Sequence, residues 1–127
     1  MHQDPPKPPD YKRGDLCHFE IPVKDRERAK AFYGEVFGWS FHDVPDMQYT
    51  LFQTPGNVVG GGLFSPTDQW PAKVVNYLLV DSIEAAAERV KRFGGEAVSP
   101  KIEVPGHGWL MHVHDSEGNL ISLWQAS

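Results

Sequence analysis

The strongest constraint on the fold is that the chain states one structural phrase twice. "LCHFEIPV", residues 16–23, alternates with a period of two. Phe19, Ile21 and Val23 share one parity, and His18, Glu20 and Pro22 share the other, which is the pattern of a strand. Asp25 stands at an N-cap position, Ala29, Phe32, Tyr33, Val36 and Phe37 form a helical stripe, and Gly38 closes it. Three short strands follow in "WSFHDV", "QYTLFQT" and "VVGGGLF", punctuated by Pro45-Asp46 and Pro55-Gly56-Asn57. The second half repeats the order. "VVNYLLV", 74–80, reads as a strand, and "DSIEAAAERVKRFGG" as a helix with Asp81 and Glu84 as a capping box. Its inner stripe is Ile83, Ala86, Ala87 and Val90. "EAVSPKIEV", "GWLMHVH" and "NLISLWQ" follow as strands, the last two joined by "DSEGN".

A βαβββ unit covers one sheet face with its helix and leaves the other face free. Two such sheets, curved by twist, bring their free faces together as a trough. The expected fold is therefore α+β: two βαβββ modules, 15–67 and 74–126, forming a curved mixed-sheet cup with the helices outside. They make a single domain, 15–126, linked around "DQWPAK". Residues 1–14 read as a flexible Pro-rich arm.

Composition narrows the function classes. A net charge of −5 offers no broad basic surface, which argues against nucleic acid as a partner. The single cysteine, Cys17, excludes an internal disulfide and points to a reducing, cytoplasmic setting. The sequence holds no apolar run of membrane-span length, so no membrane partner is expected, and the opening residues lack the apolar stretch of a secretory signal.

The phrases "HFEIPVKDRERAKAFYGEVFGW" and "HDSEGNLISLWQ", set in paired βαβββ modules, resemble the vicinal oxygen chelate superfamily of glyoxalases, bleomycin-resistance proteins and extradiol dioxygenases. The small "lactoylglutathione lyase-related" members are the nearest type. The resemblance implies a small molecule bound in the cup, a homodimer, and, in the metal enzymes, one ligand from each of four strands. His18 keeps the first ligand position. The fourth-strand position falls near Gly60, Gly61 or Gly62. The ligand opening the second module falls at or beside Val75, with Asn76 its polar neighbour. The last falls on Ser122. One ligand in four survives, so the standard divalent metal site is expected to be absent and the cofactor is unknown. A standard metal-dependent lactoylglutathione lyase is not expected.

If Asp115 pairs with Asn119, His112 lies opposite Ser122, His114 opposite Leu120 and Leu110 opposite Trp124. This gathers His18, Glu20, Tyr77, His112, His114, Ser122 and Trp124 toward one concavity. Three readings follow. Glu20 and His18 are candidate catalytic groups for proton transfer in a lyase- or isomerase-like reaction. Tyr77, Trp109, His112, His114, Ser122 and Trp124 are candidate ligand-binding residues, the aromatics for stacking, with the "PGHGW" loop as a lid. His18, His112 and His114 form an alternative set for a displaced metal. A non-catalytic cup of the bleomycin-resistance type, sequestering a drug or metabolite, is the rival to an enzyme; whether the chain catalyses a reaction stays open at this point. Each residue also has a plainer use: Glu20 bonded to its neighbours, the histidines merely lining a wet pocket, the tryptophans in the core. Cys17 is expected to face away from His18, which disfavours a Cys-His nucleophilic pair.

Overall fold

A computed structural model describes residues 10–68 and 72–127. Nine strands and two helices follow in the order β1 (Leu16–Pro22), α1 (Arg26–Phe37), β2 (Ser40–Val44), β3 (Tyr49–Gln53), β4 (Gly60–Phe64), β5 (Val75–Leu79), α2 (Ile83–Arg92), β6 (Glu96–Ala97), β7 (Ile102–Val104), β8 (Gly108–His114) and β9 (Leu120–Ala126). They form one mixed sheet in the order β2-β3-β4-β1-β5-β9-β8-β6, with β7 also on β8. The sheet curls into a half-barrel with the two helices beside it. The two modules mirror each other about the central pair. β1 is parallel to β4, β5 is parallel to β9, and β1 and β5 meet antiparallel.

Asp25 caps α1, its carboxylate accepting from Arg28 N at 3.0 Å, and Gly38 ends it in the left-handed region at φ 76°. A side chain there would strain the backbone, which is why glycine stands at the stop. The stripe of α1 is only partly buried. Phe32, Val36 and Phe37 are 55%, 56% and 53% exposed, because Tyr33 alone carries the stacked contact, lying 4.6 Å from Trp39. Trp39 in turn stacks on Phe52 at 4.5 Å, and Phe19 meets both rings edge-on. α2 is capped by Ser82, not Asp81: the Ser82 hydroxyl accepts from Ala85 N at 3.2 Å. Its inner face packs as expected, with fully buried Ile83 against Val113 and Leu123, flanked by Ala86 and Val90.

The segment expected as one strand, 96–104, is two. Ser99-Pro100 breaks it, since proline cannot donate to the ladder, and Ser99 Oγ instead accepts from His112 N at 2.9 Å. Of the expected arm, residues 1–9 lie outside the described residues, as do 69–71 of the link. The remainder is tied down: Tyr11 Oη donates to the Val58 carbonyl and Gly14 N to Leu79 O at 2.8 Å. Among the described residues no helix is long and apolar enough to cross a membrane.

The glycines of "VVGGGLF" are a packing device. Gly62 lies beneath the Tyr49 ring on one side of the sheet, and Gly61 lies against the Phe52 ring and the Phe19 carbonyl on the other. Gly61→Ala is expected to destabilise the fold by about 1–3 kcal/mol, the usual cost of overpacking. A urea unfolding midpoint unchanged from the native protein would contradict this packing.

Candidate functional site

Strand alternation sorts the residues between two faces. Phe19 in β1 and Phe52 in β3 meet Trp39 on the α1 side, and Val113 and Leu123 meet Ile83 on the α2 side. The opposite parity is the concave face. There β1 pairs His18 with Gly60 of β4 and with Tyr77 of β5, and Tyr77 pairs with Ser122 of β9. The β8–β9 hairpin has the expected register, with His112 opposite Ser122 and Leu110 opposite Trp124.

These side chains form one hydrogen-bonded network centred on Glu20, which is buried at 7% exposure. Tyr77 Oη donates to Glu20 Oε1 at 2.5 Å. The Tyr49 Oη lies 2.8 Å from His18 Nε2. On the other side Ser122, the β9 neighbour of Tyr77, is hydrogen-bonded through its Oγ to His112 Nδ1. His18 also packs edge-on against Tyr77, with 5.3 Å between ring centres. Among the described residues no buried side-chain nitrogen or oxygen lacks a partner. Burial above all, then the Glu20 charge and its hydrogen bond, push the pKa of both Tyr49 and Tyr77 upward, so both keep their protons. Burial pushes His18 down to about 4 and lowers His112, so both imidazoles are neutral near pH 7.

Tyr49 was missing from the sequence-level candidates. Its signal was present: Tyr49, Leu51 and Gln53 share one parity in β3, and the glycine run beside them leaves room for a ring. Trp109 does not belong to this face. It lies opposite Gln125, packs against the α2-side cluster, and has Lys101 Nζ 5.0 Å from its ring centre. Trp124 is on the concave face, but as packing against Val75, Tyr77 and Leu110. His114 shares the concave parity at the end of β8, where its Nδ1 lies 3.5 Å from Glu96. Cys17 does not turn away as expected. The β1–β5 register shifts between Leu16 and His18, and Cys17 packs against the same Val75–Tyr77–Leu110 cluster. A bulge of this kind breaks strict alternation.

The second-module position opposite His18 is Tyr77, not Val75 or Asn76. The four equivalent positions are therefore His18, Gly60, Tyr77 and Ser122. Glycine has no donor, Tyr77 commits its proton to Glu20, and serine is a neutral hydroxyl. This set does not fit a divalent ion, which asks for imidazole, carboxylate or thiolate. Nor do His18, His112 and His114 converge, since His112 Nδ1 is engaged by Ser122 and His114 by Glu96. Among the described residues no group of three His, Cys, Asp or Glu could hold a metal ion.

Comparison with known proteins agrees with the architecture. The family model for the N-terminal part of bleomycin resistance protein-like domains matches residues 16–55. A glyoxylase-like domain-containing protein of Didymella fabae is 32% identical over 114 residues, covering 84% of this chain and 89% of the relative. The chain belongs to the vicinal oxygen chelate superfamily. The glyoxylase-type protein CFP32 of Mycobacterium tuberculosis is 26% identical over 129 residues, and the chain, matched over 96% of its own length, spans 49% of that relative. Among solved structures, methylmalonyl-CoA epimerase from Mycobacterium tuberculosis superposes with a TM-score of 0.67 at 20% identity, covering 90% of this chain and 88% of that one. That superposition speaks to the fold alone.

The histidine ionisation has a consequence for stability. A base with its folded-state pKa depressed contributes nothing to a pH slope above about 6.5, but between about 6.5 and 4 the unfolded chain binds the extra proton. Native stability is expected to fall as pH drops through that window, by about 3 kcal/mol from His18, with His112 acting in the same direction. Urea unfolding of the native protein and of His18→Gln at pH 7, 5.5 and 4.5 checks this: the variant should show the shallower dependence.

Proposed function

We propose that this superfamily member binds a small molecule over its concave face and moves a proton on it, as a lyase- or isomerase-like enzyme that does without the four-ligand metal site. The observation that carries the reading is the buried Glu20 carboxyl group held by the Tyr77 hydroxyl, with neutral His18 packed edge-on against that tyrosine. A neutral imidazole near pH 7 is ready to accept a proton, and a desolvated carboxylate behind it is a place for that proton to go. Tyr77 holds the carboxylate in place. The glyoxylase-like relative supports a small-molecule substrate, and a carbon acid is the class that the proton-transfer reading selects. A second copy of the chain is the assembly this reading takes, with the exposed Phe32, Val36 and Phe37 of α1 available for contact.

The second reading is sequestration without turnover, supported by the match of residues 16–55 to bleomycin resistance protein-like domains and by the internally satisfied network. Two measurements separate them. Methylmalonyl-CoA and related carbon acids incubated with the protein in D₂O should take up deuterium beside the carbonyl. Glu20→Gln should slow that uptake by about two to four orders of magnitude, the scale of a lost general acid–base group. If the protein binds a cationic drug, Glu20→Gln changes its affinity, and no carbon acid exchanges, sequestration is the better account. Equal exchange rates for the native protein and Glu20→Gln would remove Glu20 from the chemistry.

A further inference from the structure

We propose that Gln53 is the oxyanion donor of the concave face, its side-chain amide hydrogen-bonding a carbonyl oxygen of a small molecule seated over Gly60. This rests on the proton-transfer reading and names the group that meets the charge the reaction develops. The strand registers set one row across the concave face, from β2 to β9: Ser40, Gln53, Gly60, His18, Tyr77 and Ser122. Cross-strand partners share a face. Gly60 leaves a gap in this row, and Gln53 leans over it: its Oε1 lies 3.1 Å from where a Cβ at position 60 would stand. Neighbouring strands lie about 4.8 Å apart, so a small molecule over Gly60 touches Gln53 on one side and His18 on the other. The inner polar side chains of the row are otherwise engaged, His18 with Tyr49, Tyr77 with Glu20 and Ser122 with His112. Half-buried Gln53 has no hydrogen-bond partner among the described residues. Ser40 lies beyond it at the exposed edge of the sheet.

Removing a proton beside a carbonyl puts negative charge on the carbonyl oxygen, and a cation, a metal ion or a hydrogen-bond donor has to meet it. The row contains no lysine or arginine, and its metal-equivalent positions do not suit a divalent ion. A neutral donor is left, and Gln53 is the half-buried one with its donors uncommitted. A carboxamide carries two N–H donors and one acceptor, and a half-turn about its last bond exchanges the two ends. A ligand oxygen over Gly60 therefore meets the N–H end. In the step, the C–H bond breaks and its proton goes to the acid–base groups of the proton-transfer reading. The C–H electron pair becomes the carbon–carbon double bond of the enolate, and the carbonyl pair moves onto oxygen. That oxygen accepts from Gln53, whose own covalent bonds do not change. Return of a proton to carbon reverses the flow.

The first arm of the test needs no substrate. Oxalate, a stable planar mimic of an enolate, is titrated into ¹⁵N-labelled protein at pH 7. The side-chain amide pair of Gln53, assigned as the signals lost in Gln53→Ala, should shift and saturate as oxalate rises. Gln53→Ala, confirmed folded by circular dichroism, should bind oxalate roughly ten- to a hundredfold more weakly, the scale of a lost hydrogen bond to a charged group. Gln53→Glu, which keeps the shape and loses the donors, should bind at least as weakly. A Gln53 signal that stays still throughout the titration overturns the proposal. So does equal oxalate affinity in Gln53→Ala. The second arm is deuterium uptake by carbon acids, which Gln53→Ala should slow by about 10²–10³-fold, as loss of an oxyanion donor does. Uptake at equal rates in the native protein and Gln53→Ala overturns the donor role and leaves the proton-transfer reading standing. Absence of any uptake strikes that reading, and the oxalate titration still decides Gln53.

Discussion

The antiparallel pairing of β1 with β5 is the contact on which the rest of the molecule depends. It joins the two βαβββ modules into one sheet and sets His18 beside Tyr77. From that register the rest of the concave row follows, with Gly60 on one flank and Ser122 on the other. A slip of one residue would exchange the two faces, sending Glu20 beneath α1 and Phe19 into the cup. The pairing is specified from both sides at once. Phe19 must meet Trp39 and Phe52 on the helix side, and Glu20 must meet Tyr77 on the other.

Around this register lies a polar network of His18, Tyr49, Glu20, Tyr77, His112 and Ser122. The glycine at position 62 leaves room for the Tyr49 ring. Its hydroxyl then lies 2.8 Å from His18 Nε2. A carboxyl group buried to this degree persists only with partners, and the Tyr77 phenol supplies one without introducing a second charge. The same burial keeps the histidines neutral and the tyrosines protonated near neutral pH.

Much of the architecture was legible because it rests on local chemistry. The Asp25 cap, the Gly38 stop and the alternation of β1 are written in neighbouring residues. The β8–β9 register was legible because a short turn at "DSEGN" pins it. Where packing between distant segments decides, local pattern fell short. The α1 stripe suggested five inward residues, yet Trp39 takes the contact and leaves three of them largely exposed. Trp109 read as a ligand-stacking ring and lies on the α2 side, since its parity is set by β9 and not by its aromatic character. The bulge at Cys17 has no glycine or proline to announce it.

The sequence by itself determined the duplicated module, the superfamily, and the parity of His18 and Glu20. These depend on residue type and on spacings within a strand, a helix or a turn. Only the tertiary structure decided that Tyr49 stands beside His18, that Tyr77 stands opposite His18, and that Tyr77 donates to Glu20. Those facts depend on which strands become neighbours across the sheet, and the direction of a hydrogen bond exists only once donor and acceptor have been brought together.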